Sequence, residues 1–520
     1  MGLMLPLWLW NLWWVKHALM DLGANPFDCT YLFYPIGINL AFYTLTVLNG
    51  VLSVPFQGLI GLVATNNLML LLSFVLSAWG AFLLIEHLLS ITVPQRGDTR
   101  TTERPKDLVK YIHLAAFVGG LVYAFSSSKL FFASLGQFNI ASSQWIPYYI
   151  LFLFKMCQKP QSFIPPILLA LFLLFQTWAE MTYASFLILF TVLFFFYCLL
   201  SGQGTQSLHR FIKSGLIAAI IFVIGISPLL IMMLPDLVAE GNFFVEGTGF
   251  AETFSGDMLG LVIPTQLHPL LGNVVNNLHF PHDKGQHLFL GYVTLALAFC
   301  GLFHWRHRGV VRFWGFATAV FLVLSWGPVA HFNGTSLGIP LPFQILQRIP
   351  VFNGNRYPGR IGVMVVMGLA VLVGFGVFFL LRHIVVYKRK YLASAVAALI
   401  ILLGFEHLSI PLPMVDLRVP KVYYQIAENR EDVTLLDIPV AWRNGFRVTG
   451  TMDPIIMFEQ FAQTVHEKRI LAGNTSRNPE YKFQYFTELP VINSIIALET
   501  GHELEPDRVE TDALLAEHLL

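Results

Sequence analysis

"YPGRIGVMVVMGLAVLVGFGVFFLLRHIVVYKRK", residues 357–390, decides what kind of protein this is. From Pro358 to Arg382 it is apolar for longer than the roughly 20 residues that carry a helix across a bilayer core. It closes on Arg382, Lys388, Arg389 and Lys390. A long apolar run with basic residues gathered at one end is the signature of a membrane span whose basic end faces inward.

Further apolar runs lie at 66–90, 111–127, 140–157, 163–178, 182–200, 212–234, 287–304, 312–330 and 391–410. The chain of 520 residues is 55% hydrophobic and 12% charged, with mean hydropathy +0.64, which excludes an ordinary soluble protein. Residues 1–410 hold 22 Lys and Arg, and 16 of these fall in five connections, at every second gap between runs. The bias persists along the whole membrane part and gives its topology. Cys29, Cys157, Cys198 and Cys300 are scattered, with no disulfide or metal spacing. Residues 1–14 lack the basic and small-residue flanks of a cleaved signal peptide.

The expected fold class is an α-helical polytopic membrane protein of about 10–11 spans with a small C-terminal α/β domain. Residues 1–65 read as external loop and interfacial helices, 66–410 as the membrane domain, and 411–520 as a soluble external domain. That tail carries 17 acidic and 10 basic residues. Within it "DVTLLDIPV" predicts a buried strand and "DPIIMFEQFAQTVHEKR" an amphipathic helix. Residues 41–62 fit either a re-entrant hairpin or a first helix interrupted by Pro55 and glycines. Trp8, Trp10, Trp13 and Trp14 are expected at headgroup level, where amphipathic rings collect.

"NPFDCTYLFYPIGINL", residues 25–40, is too irregular to span and reads as an active-site loop on the outer face. With Trp10–Trp14, His17–Leu19, residues 123–155, residues 341–364 and "LAGNTSRNP" at 471–479, it resembles the GT-C type of polytopic membrane glycosyltransferase, in a bacterial branch dependent on lipid-linked sugars. The resemblance implies inverting transfer of a sugar from a polyprenyl-phosphate carrier to a glycan or protein acceptor, on the external face of a bacterial plasma membrane. Membrane lipid is the other implied partner, and no nucleic acid is expected. In such relatives an initial span and an acidic residue precede the tryptophan-rich run. Here "MGLMLP" holds that place without Asp or Glu, which implies a truncated start or a protein that is not catalytic in the family manner.

Asp21 and Asp28 lie in the loop that resembles the catalytic one, although both also suit ordinary turns or caps. Glu180 sits in a very short turn between two strongly apolar runs, where an ionised group is costly unless paired or wet. These three are the candidate catalytic carboxylates. Arg348, Arg356 and Arg360 break the positive-inside bias where the 358–382 span begins. Guanidinium groups grip phosphate bidentately, so they are the candidate ligands for the carrier phosphate, with snorkelling to headgroups as the plainer role. His17, Asn25, Tyr34, Asn39 and His268 complete the expected pocket. "LHFPHDKGQH" gathers His279, His282 and His287 beside Asp283, but the spacing is irregular and no D-x-D pair occurs. No metal or cofactor is therefore assigned, although the superfamily includes members that use a divalent cation. A transporter is disfavoured by the scarcity of mid-span charges and visible repeats. A non-catalytic scaffold of the same fold remains the alternative.

Overall fold

The computed structural model describes residues 4–93, 105–158, 161–201, 205–240, 250–278, 280, 288–349, 352, 354–388, 391–445, 447–503 and 506–519. Helix α1 (Leu5–Lys16) continues into a π-helical turn at His17–Asp21, followed by the paired strands β1 (Asp28–Cys29) and β2 (Ile38–Asn39). Next come α2 (Val47–Ile60), α3 (Leu62–Thr92), α4 (Pro105–Ala124), α5 (Ser127–Ser134), α6 (Phe138–Ala141) and α7 (Ile146–Gln158). The helical part continues through α8 (Ile164–Ala179), α9 (Met181–Leu200), α10 (Thr205–Glu240), α11 (Phe250–Thr253), α12 (Gly272–Asn277), α13 (Tyr292–Trp305) and α14 (Gly309–Ser325). The hairpin β3 (Val329–Phe332)–β4 (Thr335–Pro340) and α15 (Phe343–Leu346) lead to α16 (Gly362–Lys388) and α17 (Leu392–Glu406). The tail holds α18 (Lys421–Glu428), β5 (Thr434–Leu435), β6 (Ala441–Asn444), β7 (Arg447–Gly450) and α19 (Ile456–His466). It ends with β8 (Arg469–Ile470), β9 (Gly473–Thr475), α20 (Tyr481–Glu488), α21 (Pro490–Glu499) and α22 (Pro506–Leu519).

Each apolar run of the sequence contains a helix, although 140–157 is broken at residues 142–145 between α6 and α7, and 312–330 ends in β3. Among the described residues, five stretches are long and apolar enough to cross a membrane: Leu62–Thr92, Asp107–Ser134, Met181–Leu200, Phe211–Glu240 and Pro358–Ile384. The molecule is thus a helical membrane protein with small sheets confined mostly to its C-terminal part. Helix α2 is about 21 Å long at 1.5 Å per residue, short of a roughly 30 Å hydrocarbon core, and the chain turns at Gly61 into α3.

Helix α16 is the axis of the bundle and is buried along most of its length, while α10 leaves Ile220, Val223, Ile224 and Ile231 exposed on its outer face. Lipid tails are as apolar as leucine, so close backbone approach rather than the hydrophobic effect must hold such helices together. Two glycines permit it. A Cβ on Gly376 would lie 2.1 Å from the Leu297 carbonyl oxygen, and one on Gly301 would lie 2.1 Å from that of Leu372. Helices α13 and α16 therefore touch backbone to backbone.

The tail is built on the three-stranded order β7-β6-β9, with β6 antiparallel to β7 and parallel to β9. "DVTLLDIPV" contributes only the two-residue β5, half-buried and parallel to β8, because Pro439 and the turn before it cut the run short. The helix expected in "DPIIMFEQFAQTVHEKR" is α19.

The tryptophans of the N-terminal region are packed inside the protein. Trp10 and Trp14 are 0% and 1% exposed, and Trp8 and Trp13 are buried too. Trp10 Nε1 donates to Gln463 Oε1 on α19 at 2.7 Å, and Trp14 Nε1 donates to the Pro26 carbonyl at 2.8 Å. An indole whose N–H is satisfied inside the protein has no need of the headgroup layer. Residues 31–34, a bent segment with Phe33 at φ +55°, hydrogen-bond to the tail. Ile470 N donates to Tyr31 O at 3.0 Å, and Tyr34 N donates to Ile470 O at 3.2 Å. Phe33, fully buried, meets Phe483 and Phe486 edge-on. The stretch 25–40 is thus a seam that joins the start of the chain to the C-terminal part.

Candidate functional site

Where that seam, the N-terminal end of α16 and the tail converge, the protein encloses a cavity of about 390 Å³. Four arginines line it: Arg356 and Arg360 from the approach to α16, and Arg443 and Arg477 from the tail. Pro358 ends the extended approach and opens a 3₁₀ turn, Pro358–Ile361, that feeds α16. This sets Arg356 and Arg360 one helical turn apart on either side of Tyr357. The Arg360 guanidinium lies 4.0 Å over the Tyr357 ring, a cation–π contact that fixes its plane. Arg443 sits on β6, opposite Asn474 of β9.

Arg477 follows β9 at φ +58°, a conformation non-glycine residues adopt reluctantly. Its turn is held by Asn444, which donates to Asn478 O at 2.8 Å and accepts from Asn478 N at 3.0 Å. Gly445 follows Asn444 at φ +70°, a left-handed conformation that favours glycine. A Cβ there would stand 3.5 Å from Arg356 Nη1.

Among the described residues no carboxylate pairs with this group. Nε of Arg356, Arg360 and Arg443 is buried without a hydrogen-bond partner. None of the four arginines makes an ion pair within 4.0 Å among the described residues, and no lining residue is Asp or Glu. Burial lowers the Arg477 pKa to about 10; Arg356 and Arg360 push the same way and Glu180 opposes them. Burial also lowers Arg356 and Arg443. Buried cations crowded together without a counter-charge are costly. Such an arrangement suits a multiply charged anion.

The expected site residues divide. Arg356 and Arg360 line the cavity, whereas Arg348 is exposed and stands outside it. Glu180 is 3% exposed and lies just behind the wall. It caps α9 by accepting from Thr182 N at 3.2 Å, and it accepts from Asn139 Nδ2 at 2.5 Å. Asp21 is bound to His17 Nδ1 at 3.0 Å, and the His17 ring stacks on Trp13. Asp28 is exposed on β1. Neither aspartate lines the cavity.

The remaining expected residues do structural work elsewhere. Asn25 Oδ1 accepts from Phe27 N at 3.1 Å in a local turn. Asn39 ties the seam to α10 through Met232 O at 2.7 Å and Asp236 at 3.0 Å. Tyr34 lies beneath Arg469. His268 accepts the Leu270 and Leu271 amides at Nδ1, which leaves Nε2 to donate to Phe405 O at 2.9 Å. His279, His282, Asp283 and His287 lie outside the described residues.

Residues missing from the sequence expectation are Arg443, Arg477, Trp8, Tyr357, Gln137 and Asn139, all of which line the cavity. "LAGNTSRNP" contains Arg477 and "SLGQFNIASSQ" contains Gln137 and Asn139, but only the tertiary packing brings them to one cavity.

No family model matches the sequence, and no curated protein matches it. Solved structures of the oligosaccharyltransferase of Archaeoglobus fulgidus are similar in overall shape. The apo form is 12% identical with TM-score 0.45, over 89% of this chain and 60% of that one. The form tethered to an acceptor peptide is 10% identical with TM-score 0.37, over 94% and 63%. The complex of AglB with an inhibitory peptide and a dolichol-phosphate is 12% identical with TM-score 0.36, over 90% and 60%. The chain thus spans about six-tenths of the length of those proteins. The chemistry of the cavity rests on its own residues.

Proposed function

We propose that the cavity holds the phosphate of a polyprenyl-phosphate sugar and that the protein takes part in glycosyl transfer from this carrier at the outer membrane face. One observation carries the reading: four arginines that line one cavity at the N-terminal end of a membrane span, without an ion pair among the described residues. A phosphate on a lipid tail supplies the missing negative charge at that depth, and guanidinium forks match its oxygens. The acceptor is a glycan or a protein. The topology expected from the basic residues puts the tail outside the plasma membrane of a bacterium.

The lining favours a second reading as well. Acid–base work on an acceptor needs a carboxylate or its equivalent within hydrogen-bond reach, and none lines the cavity among the described residues. The second reading is a protein that binds the carrier without catalysing transfer. Binding of a short-chain polyprenyl phosphate to the full chain in nanodiscs tests the shared premise. Arg356→Ala should weaken binding by about 2–5 kcal/mol, the cost of removing one partner of a buried charge pair. Arg356→Lys should restore the charge but not the fork. Equal binding by wild type and both variants would refute the phosphate site. With binding established, release of sugar from the glycosylated carrier separates transferase from binding protein.

A further inference from the structure

A second cavity, of about 450 Å³, opens between α3, α7 and α8 and shares no lining residue with the arginine cavity. It lies toward the C-terminal ends of α3 and α7, the ends that the basic residues of the sequence lead one to expect at the inner face. One carboxylate, Glu86, and one ammonium, Lys155, line it, and neither residue is fully buried.

Three stacked rings form one wall. Tyr148 stacks on Phe172 at 5.0 Å between centroids, and Phe172 stacks on Phe152 at 5.6 Å. Tyr148 is tied to α3, where its hydroxyl donates to the Leu76 carbonyl at 3.1 Å. Gly80 permits that approach, since a Cβ there would lie 2.6 Å from the Tyr148 ring. Lys155 Nζ lies over the Phe152 ring, 5.3 Å from its centre, which sets the ammonium at the end of the stack. It makes no ion pair among the described residues.

Glu86 sits six residues before Thr92, about 9 Å inside the end of α3 at 1.5 Å per residue. An ionised group at such a position needs a partner or water. Its Oε1 accepts from His113 Nε2 at 3.2 Å. Its other oxygen has no partner among the described residues, and the side chain is 34% exposed. A carboxylate and an ammonium that line one cavity without pairing suit a ligand that carries both charges.

We propose that this cavity binds the headgroup of a phosphatidylethanolamine-type lipid. Lys155 takes the phosphate, the primary ammonium donates to the open oxygen of Glu86, and the glycerol and upper acyl chains lie along the ring stack. Pockets between membrane helices at the inner face are suited to lipid headgroups. A purely anionic headgroup would bring its charge against Glu86, and a choline has no N–H to donate. The same phosphate and amine occur together in free phosphoethanolamine. Leu83, Leu151 and Leu168 extend the apolar lining, and only a lipid covers that surface.

Native mass spectrometry of the full chain in detergent tests this with phosphatidylethanolamine, phosphatidylcholine and phosphatidylglycerol of one acyl composition, and with free phosphoethanolamine. Wild type should prefer phosphatidylethanolamine by about three- to ten-fold, the scale of one charge-assisted hydrogen bond partly screened by water. Glu86→Gln should remove that preference and leave phosphatidylcholine binding unchanged. Lys155→Met should weaken both lipids alike, because both carry the phosphate, and it carries the test if Glu86→Gln fails to fold. A wild type that binds phosphatidylcholine or phosphatidylglycerol as tightly overturns the site. So does a preference that survives Glu86→Gln, or undiminished binding by Lys155→Met. Free phosphoethanolamine bound as tightly as the lipid overturns a lipid as the ligand.

Discussion

Replacing Arg477 with Met should split stability from binding. An ordinary buried side chain supports the fold, so its truncation destabilises. Arg477 carries the opposite load, because its charge is held among other cations and away from water. Its pKa falls from the usual 12.5 to about 10. At about 1.4 kcal/mol per factor of ten in proton affinity, this corresponds to about 3 kcal/mol against the ionised form. Solvent at the partly open mouth screens some of that, which leaves about 1–3 kcal/mol. Both the folded and the ordinary pKa lie well above neutrality, so the penalty is fully present at working pH and eases only as pH rises past about 10.

Met keeps an unbranched stem to about the position of Nε and meets the same reluctant backbone conformation at φ +58°. The ligand-free variant should therefore unfold at a higher temperature than wild type in the same detergent. Its affinity for a polyprenyl phosphate should fall by about 2–5 kcal/mol. Thermal unfolding with and without the lipid reads both effects from one sample, because binding to the folded form raises stability by mass action. A ligand-free variant less stable than wild type, or one that binds the lipid equally well, would refute the idea of uncompensated charge.

Other outcomes follow from separate parts of the molecule. Gly376→Ala would drive a methyl group into the Leu297 carbonyl, so it should part α13 from α16 and cost about 1–3 kcal/mol, measured as a loss of thermal stability; an unchanged melting temperature would contradict the backbone contact. Phe33→Ala should cost about 3–5 kcal/mol and loosen the tail, seen as faster proteolysis near residues 411–420. Burial pushes the Glu459 carboxyl up to about 8, with Asp437, Glu499 and Asp453 adding to it. The folded protein thus holds that proton more tightly than the unfolded chain. Stability should fall as pH rises from about 4.5 through 8, and Glu459→Gln should flatten that decline in a pH series of unfolding midpoints.

Much of the helical architecture was legible because its signals are local. A span is a run of apolar residues, and its polarity is marked by the cations that follow, so α3, α10 and α16 could be read without knowing their neighbours. Arg356 and Arg360 stood out for the same reason, as charges on the side where the bias disfavours them. Arg443 and Arg477 carried no such mark, since a cation in a polar tail is unremarkable. Their place in the cavity depends on β6 pairing with β9 and on Phe33 docking against Phe483 and Phe486.

Glu180 was conspicuous as an acid between apolar runs, yet its bond to Asn139 joins two segments that give no sign of meeting. The packing of the tryptophans was not legible, because amphipathic rings suit a membrane surface and a polar seam equally well. Only the acceptors waiting at Gln463 and Pro26 distinguish the two.

The bond from Trp10 to Gln463 spans 453 residues of chain. During synthesis, residues 8–45 therefore emerge long before the strands and rings that cover them. Until the tail arrives, Phe33 and the open edge at Tyr31–Tyr34 offer themselves to any passing strand. A chain that emerges at about 5–20 residues per second leaves this edge waiting for tens of seconds. Two of the four arginines are also absent for that whole interval. A ribosome-bound chain cannot hold the lipid as the finished protein does, and chains stopped short of residue 477 should show the N-terminal seam to chaperones and proteases.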